Sequence, residues 1–280
     1  MKWDEPAGGE VVVDEPPKKV ITEAQREHMD AVSFNFGKGI KPVTSIPARQ
    51  NTVMSLFGYG GSGKTYFSCT APLPIIVIDT EDRLKLVTDQ LPQDIQDQIF
   101  QFSMIEYGAS DTGEVDYSGM IERFRTEILD AAAEMTTQGI KGTIVIDSMS
   151  EILDWYDLWL VKQKGVRLGE DGQPLPFEKK RTKNEIRRIL DIFRVTKWNI
   201  IMTFKEKQMW GDSGAPIDDY APEWSKDLIY VSDFVVNIRR IGTRREFRLI
   251  KNSYGNKLDI PLNNVDWNGF LKTVKEHSGG

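Results

Sequence analysis

Cysteine is nearly absent from this chain: Cys69 is the single one in 280 residues. No disulfide framework can form within it, and the composition fits a reducing compartment. Cys69 itself reads as a small core residue. Histidine is almost as scarce. His28 and His277 stand apart, with no metal-ligand neighbourhood, which argues against zinc chemistry and against histidine-based catalysis. No apolar run approaches the roughly 18–20 residues that span a bilayer. The opening residues Met1-Lys2-Trp3-Asp4-Glu5-Pro6 are acidic and lack the apolar centre of a signal peptide. These absences lead to the expectation of a cytoplasmic protein (the host's cytoplasm, if the chain is viral) with no membrane partner. A positive excess is missing too. The net charge is −6, which disfavours nucleic-acid binding through overall charge. The signs are uneven, however. Residues 1–30 hold eight acids and four bases, so the remainder is near neutral and contains basic clusters.

Against these absences stands one dense motif. Gly58-Tyr59-Gly60-Gly61-Ser62-Gly63-Lys64-Thr65 follows the apolar run Val53-Met54-Ser55-Leu56-Phe57. It satisfies every fixed position of the G-x-x-x-x-G-K-[ST] phosphate loop. Glycines let the backbone wrap tightly enough to aim several N–H groups at one point, and a helix beginning at Lys64 adds its positive end. The residues expected to hold nucleotide are Gly58 through Thr65 together with Tyr66. Lys64 reaches the β- and γ-phosphates, and the Thr65 hydroxyl ligates Mg²⁺. ATP and Mg²⁺ are therefore the expected cofactors.

The chain divides into three parts. Residues 1–48, with Pro6, Pro16, Pro17 and many acids, read as a disordered acidic tail, a short helix at 21–31 and a docking segment or strand at Ser33-Phe34-Asn35-Phe36. Residues 49–263 alternate strand and helix. Strands are expected at 51–57, 75–79, 100–105, 143–147 and 198–204, and helices at 64–70, 82–90, 117–137, 149–163 and 183–196. Ser148-Met149-Ser150-Glu151 resembles a capping box, and Gly139 a helix stop. Residues 233–250, with Gly242-Thr243 at the tip, read as a hairpin. Residues 264–280 read as a closing helix and tail. The fold class is α/β: a mostly parallel sheet flanked by helices, with a C-terminal β-hairpin.

Binding nucleotide is not hydrolysing it; that needs a second metal anchor and a group to deprotonate water. Thr143-Ile144-Val145-Ile146-Asp147-Ser148 is an apolar strand ending in a carboxylate, as a Walker B strand ends, so Asp147 joins Thr65 as the expected metal pair. Ile75-Ile76-Val77-Ile78-Asp79-Thr80-Glu81 ends in acids as well. Glu81 is the expected general base, beside the γ-phosphate if this strand neighbours the first, with Asp79 and Asp82 as rivals.

These motifs, together with Arg248-Leu249-Ile250-Lys251-Asn252, occur in the order found in RecA-like recombinases. The short core and the Cys69-Thr70-Ala71-Pro72-Leu73-Pro74 stretch make residues 50–260 similar to the short RecA-like ATPases of phages, single-strand annealing and recombination proteins also grouped as phage nucleotide-binding AAA proteins. The resemblance implies a RecA-like P-loop NTPase core, a DNA-stimulated ATPase, single-stranded DNA as partner, self-assembly into a filament or ring with ATP between subunits, and a single-strand-binding protein as a further partner. It casts Lys251 as a trans-acting catalytic lysine. The family's second lysine falls on Ser253, and Arg248 is a substitute. The strand Asn199–Lys205 lacks the family's Asn-Gln sensor, which leaves Thr203 or Lys205 to sense the γ-phosphate.

Two loops stand where such proteins line their DNA channel. The first, 162–181, carries Lys162, Lys164, Arg167, Lys179, Lys180 and Arg181. The second, 205–222, carries Lys205, Lys207 and Trp210, with Asp212, Asp218 and Asp219 opposing. Flexible cations neutralise phosphates and Trp210 stacks a base. The arginines at 239, 240, 244, 245 and 248 face DNA, a neighbour's nucleotide or only water. A ring helicase motor, a P-loop small-molecule kinase with a 162–188 lid, and a non-catalytic ATP-gated protein remain open as alternatives.

Overall fold

Apolar runs covered on both faces make the central strands of this fold. The computed structural model describes residues 51–108, 113–210, 214–222, 231–253 and 261–277. The acidic tail, the helix at 21–31, the Ser33–Phe36 segment, His28 and Asp212 lie outside the described residues. In chain order the elements are β1 (Val53–Phe57), α1 (Lys64–Ser68), β2 (Ile75–Asp79), α2 (Leu84–Thr88), α3 (Gln93–Gln96), β3 (Ile99–Ser103), a 3-10 turn (Ile105–Tyr107), α4 (Tyr117–Thr137), β4 (Thr143–Asp147), α5 (Met149–Val161), α6 (Pro176–Thr196), β5 (Asn199–Phe204), β6 (Glu206–Trp210), β7 (Pro216–Pro222), β8 (Phe234–Ile241), β9 (Arg244–Asn252), β10 (Leu262–Asn263) and α7 (Trp267–His277).

Eight strands form one sheet in the order β10-β9-β8-β1-β5-β4-β2-β3. Strands β1 to β5 and β8 pair in parallel, while β9 and β10 are antiparallel additions at one edge. The strand period of two divides the core cleanly. Val53, Phe57, Ile144, Ile146, Ile200 and Met202 face one cluster, covered by α4, α5 and α6 residues. Met54, Leu56, Val145, Ile201 and Val236 face the other, covered by Phe67 of α1 and by Trp267, Phe270 and Val274 of α7. No helix among the described residues is long and apolar enough to cross a membrane.

The helix ends follow local chemistry. Ser148 caps α5, its hydroxyl accepting from Glu151 N–H at 3.4 Å. Gly139 stops α4 at φ 68°, with Gly139 N–H bonding Thr136 O and Ile140 N–H bonding Met135 O. That is the Schellman pattern, which needs the left-handed residue glycine supplies.

Three expectations are corrected. The second strand does not neighbour the first: β2 pairs with β3 and β4, so β5 and β4 separate it from β1. Residues 205–222 are not a loop, because β6 and β7 form their own antiparallel hairpin. The 162–181 segment is a loop only as far as Leu175. Helix α6 begins at Pro176, and Lys179, Lys180 and Arg181 lie in its first turns. Proline at a first helical position is preorganised for the helix, and Thr182, Ile186, Ile189 and Leu190 give α6 a buried stripe.

Candidate nucleotide site

The phosphate loop leaves β1 at Phe57 and enters α1 at Lys64, so the strand's carboxyl end carries the site. Gly63 sits at φ 102°, a conformation that a side chain would strain. Ser62 Oγ is buried inside the loop and, among the described residues, has no hydrogen-bond partner. A phosphate oxygen would satisfy it. The Lys64 ammonium folds back on the loop, donating to Gly58 O at 2.8 Å and Tyr59 O at 3.1 Å. Burial holds it below the ordinary lysine range, against the upward pull of Asp147, Glu206 and Glu81. A bound polyphosphate would supply the countercharge that burial denies.

Asp147, the last residue of β4, is the centre of the polar network. Thr65 donates to its Oδ2 at 2.5 Å and Thr203 to its Oδ1 at 2.5 Å. The Thr80 hydroxyl donates to its carbonyl at 3.1 Å and accepts from Ser148 N–H at 2.8 Å. A hydroxyl and a carboxylate in contact are the hard oxygen donors that Mg²⁺ selects, so Thr65 and Asp147 fit the ion.

The acids ending β2 divide their labour. Asp79 is buried and accepts from Glu81 N–H at 3.0 Å, Leu84 N–H at 2.8 Å and Gln101 Nε2 at 3.0 Å. It shapes the turn. Glu81 leans outward to Arg83 at 3.3 Å and keeps its side chain 38% exposed. Asp82 is tied to Gln101 at 3.1 Å.

These pieces share one cleft of about 790 Å³. Its walls include Gly58, Tyr59, Gly60, Gly61, Gly63, Lys64, Thr65, Tyr66, Glu81, Asp147 and Lys205 of the expected residues. A cleft of this size is in the range that holds a nucleotide. Several wall residues were not singled out from sequence as contributions of this chain to its own site, among them the charged or polar Arg83, Glu206, Tyr220, Arg240 and Arg245. The basic cluster was legible, but the side of the sheet it faces was not.

The remaining expected residues lie elsewhere. Lys251 is outside the cleft of its own chain, its ammonium donating to Ser232 O at 2.7 Å. Lys162 lies over the Tyr117 ring at 5.7 Å and Arg167 over Phe177 at 5.6 Å. Lys179 pairs with Asp157 at 2.8 Å and Arg181 with Glu178 at 3.5 Å, whereas Lys205, at the cleft, pairs with Glu151. Lys164, Lys180 and Lys207 are exposed, and Trp210 is 67% exposed at the end of β6.

A family model described as an AAA domain matches residues 50–257, most of the chain and all of the site. The chain belongs to the AAA domain family. It is an AAA-type P-loop ATPase domain, and the loop, the Asp147 strand end and the cleft fall within the matched span. No curated protein matches the sequence. Among solved structures, this AAA domain is similar to a RadB recombinase at 12% identity and TM-score 0.45, over 76% of this chain and 86% of that one. It is also similar to an ATPase from the type III secretion system of pathogenic bacteria, at 12% identity and TM-score 0.43, over 68% of this chain. It spans only 52% of that ATPase.

Proposed function

We propose that this AAA domain binds ATP with Mg²⁺, hydrolyses it, and couples the cycle to single-stranded DNA in annealing or recombination, as short RecA-like ATPases of the phage type do. The observation that carries the reading is the joint placement of Thr65, Asp147, Glu81 and Lys64 on one cleft, with Asp147 already bonded to Thr65. Thr65 and Asp147 hold Mg²⁺, which when bound neutralises phosphate charge. Lys64 leaves the loop carbonyls for the β- and γ-phosphates. Glu81 takes a proton from the water that attacks the γ-phosphorus, and ADP departs still cradled by the loop. The hydrogen bond from the buried Thr203 to Asp147 supports a role for Thr203 in sensing the γ-phosphate through Asp147.

The coupling to DNA has support in the β6–β7 hairpin. Lys205, Glu206 and Tyr220 stand at the cleft, and the same hairpin presents Lys207 and Trp210 outward. The exposed cations Lys162, Lys164, Arg167, Lys180 and Arg181 add a second basic surface. Lys179 sits beside them, paired with Asp157. Self-assembly would bring a neighbour's Lys251 to the open side of the nucleotide, and a single-strand-binding protein is a partner suited to the acidic tail.

The test compares wild type with Glu81→Gln. The variant is expected to keep ATP binding while turnover falls about 10²–10⁴-fold, the worth of a general base. Both proteins should retain a labelled single-stranded oligonucleotide at low salt and release it as salt rises. Unchanged turnover in Glu81→Gln would remove Glu81 from the mechanism.

A further inference from the structure

The β8–β9 hairpin turns through Gly242-Thr243, and its register sets Arg240 directly opposite Arg245. Like charges facing each other across a strand pair are destabilising. Elsewhere on the hairpin the pairing is conventional, with Arg239 opposite Glu246 and Arg248 within 3.8 Å of Glu246. Arg240 and Arg245 both line the nucleotide cleft, and among the described residues neither guanidinium pairs with a carboxylate. Arg83 and Lys205, at the same cleft, do pair, with Glu81 and Glu151.

Arg245 is also held in position. Its guanidinium lies 4.5 Å from the Tyr66 ring centroid. Its Nε stands 2.5 Å from where a β-carbon on Gly63 would be, so it packs close against the backbone of the phosphate loop. Arg240 is fixed through its main chain: the Tyr59 hydroxyl donates to Arg240 O at 2.8 Å and accepts from Arg240 N–H at 3.0 Å. The hairpin and the loop therefore form one wall. Strand β8 runs so close that a β-carbon on Gly58 would meet Ile238 O at 2.2 Å.

We propose that Arg240 and Arg245 form a phosphate clamp supplied by the same chain that supplies the phosphate loop. The inference rests on the nucleotide-binding reading above and deepens it. Two guanidiniums without a carboxylate partner, Arg240 donating from Nε to Gly242 O at 3.2 Å, stand on one side of an anion-binding loop and call for a polyanion between or beside them, and planar forks suit phosphate oxygens. Position decides which phosphates. Gly63 and Tyr66 flank the part of the loop that cradles the α- and β-phosphates, whereas Glu81 and Asp147 attend the γ-phosphate end. The clamp thus grips ADP and ATP alike, and its role is retention of nucleotide through the cycle rather than the chemical step.

The experiment is fluorescence titration of wild type, Arg245→Ala and Arg245→Gln with labelled ATP and labelled ADP in Mg²⁺ buffer, with steady-state turnover alongside. Arg245→Ala and Arg245→Gln should each weaken both nucleotides by about tenfold or more, the value of a charge-assisted contact. KM should rise in step while kcat changes far less, and Arg245→Lys should recover part of the affinity. Circular dichroism of the nucleotide-free variants should match wild type, because removing one of two opposed charges relieves repulsion. Unchanged affinity in folded Arg245→Gln would overturn the clamp. So would loss of ATP binding with ADP binding intact, which would make Arg245 a γ-phosphate sensor. Failure of wild type to bind either nucleotide would instead overturn the ATP-binding reading itself.

Discussion

Asp147 gathers most of the polar contacts of the site in one side chain, and its place at the cleft was legible because it ends an apolar strand behind a phosphate loop. Its second hydroxyl partner was not. Thr203 meets Asp147 only because β5 pairs with β4 in the register Ile146↔Met202, which sets Thr203 one residue beyond the last pair. No local pattern encodes that register. The Arg240–Arg245 opposition, by contrast, follows from a two-residue turn and was open to reading once Gly242-Thr243 was placed at the tip; what the residue types withheld was the face. Cys69 shows the residue scale acting on stability. It is buried, and that burial, with the negative Asp147 as a lesser cause, pushes its thiol up to about 12 from 9.0. A group raised on folding contributes stability that is intact below its unfolded value and lost as pH climbs toward the folded one. Stability should therefore fall between about pH 9 and pH 12. The Tyr156 phenol, also raised by burial, adds to the same decline. Denaturant titrations across that range should show a shallower fall for Cys69→Ala than for wild type. Parallel profiles would contradict the assignment.

At the scale of elements, strands were easier to read than the segments between them. A parallel strand covered on both faces leaves an uninterrupted apolar run, and β2 and β4 have the bounds expected from it. The basic stretch around Lys179–Arg181 read as a loop because charge dominates its composition. Its burial pattern, with Thr182, Ile186 and Ile189 facing inward, makes it helix instead. The 205–222 segment became a hairpin for a reason no single-strand pattern reveals, since β6 and β7 stabilise each other and not the main sheet. Helix α7 has a role beyond closing the chain. Phe67 of α1 lies 5.0 Å from Phe247 of β9, 6.2 Å from Trp267 and 6.0 Å from Phe270 between ring centroids. The Trp267 N–H also donates to Thr70 Oγ1 at 2.9 Å. This aromatic cluster fastens the helix behind the phosphate loop to the hairpin bearing the arginines. Phe270→Ala should cost about 3–5 kcal/mol of stability, the range for emptying a fully buried aromatic site. Chemical denaturation measures it; a loss within the scatter of surface substitutions would mean the cluster is ornamental.

Over the whole chain, the strand order resolves where the acids stand. Glu81 was expected beside the γ-phosphate on the condition that its strand neighbours β1. The sheet instead places β5 and β4 between them, and Glu81 still reaches the cleft because all these strands run parallel and end on one side. Parallel topology, not adjacency, gathers the site. The charge distribution has the same whole-chain character. A chain of net charge −6 still lines its cleft with Arg240 and Arg245 and carries the exposed Lys207 and Trp210 on a hairpin that touches the same cleft. Under the proposed function, that arrangement would let ATP binding or loss be felt at a surface suited to a nucleic-acid strand, with Lys251 serving a neighbouring copy. The claim that nucleotide turnover answers to single-stranded DNA in an assembled protein is tested most directly by ATP hydrolysis per protomer, measured across protein concentrations with and without a single-stranded oligonucleotide. The account predicts a rate per protomer that rises with concentration and rises further with the oligonucleotide. A rate that is flat in concentration and indifferent to the strand would contradict it.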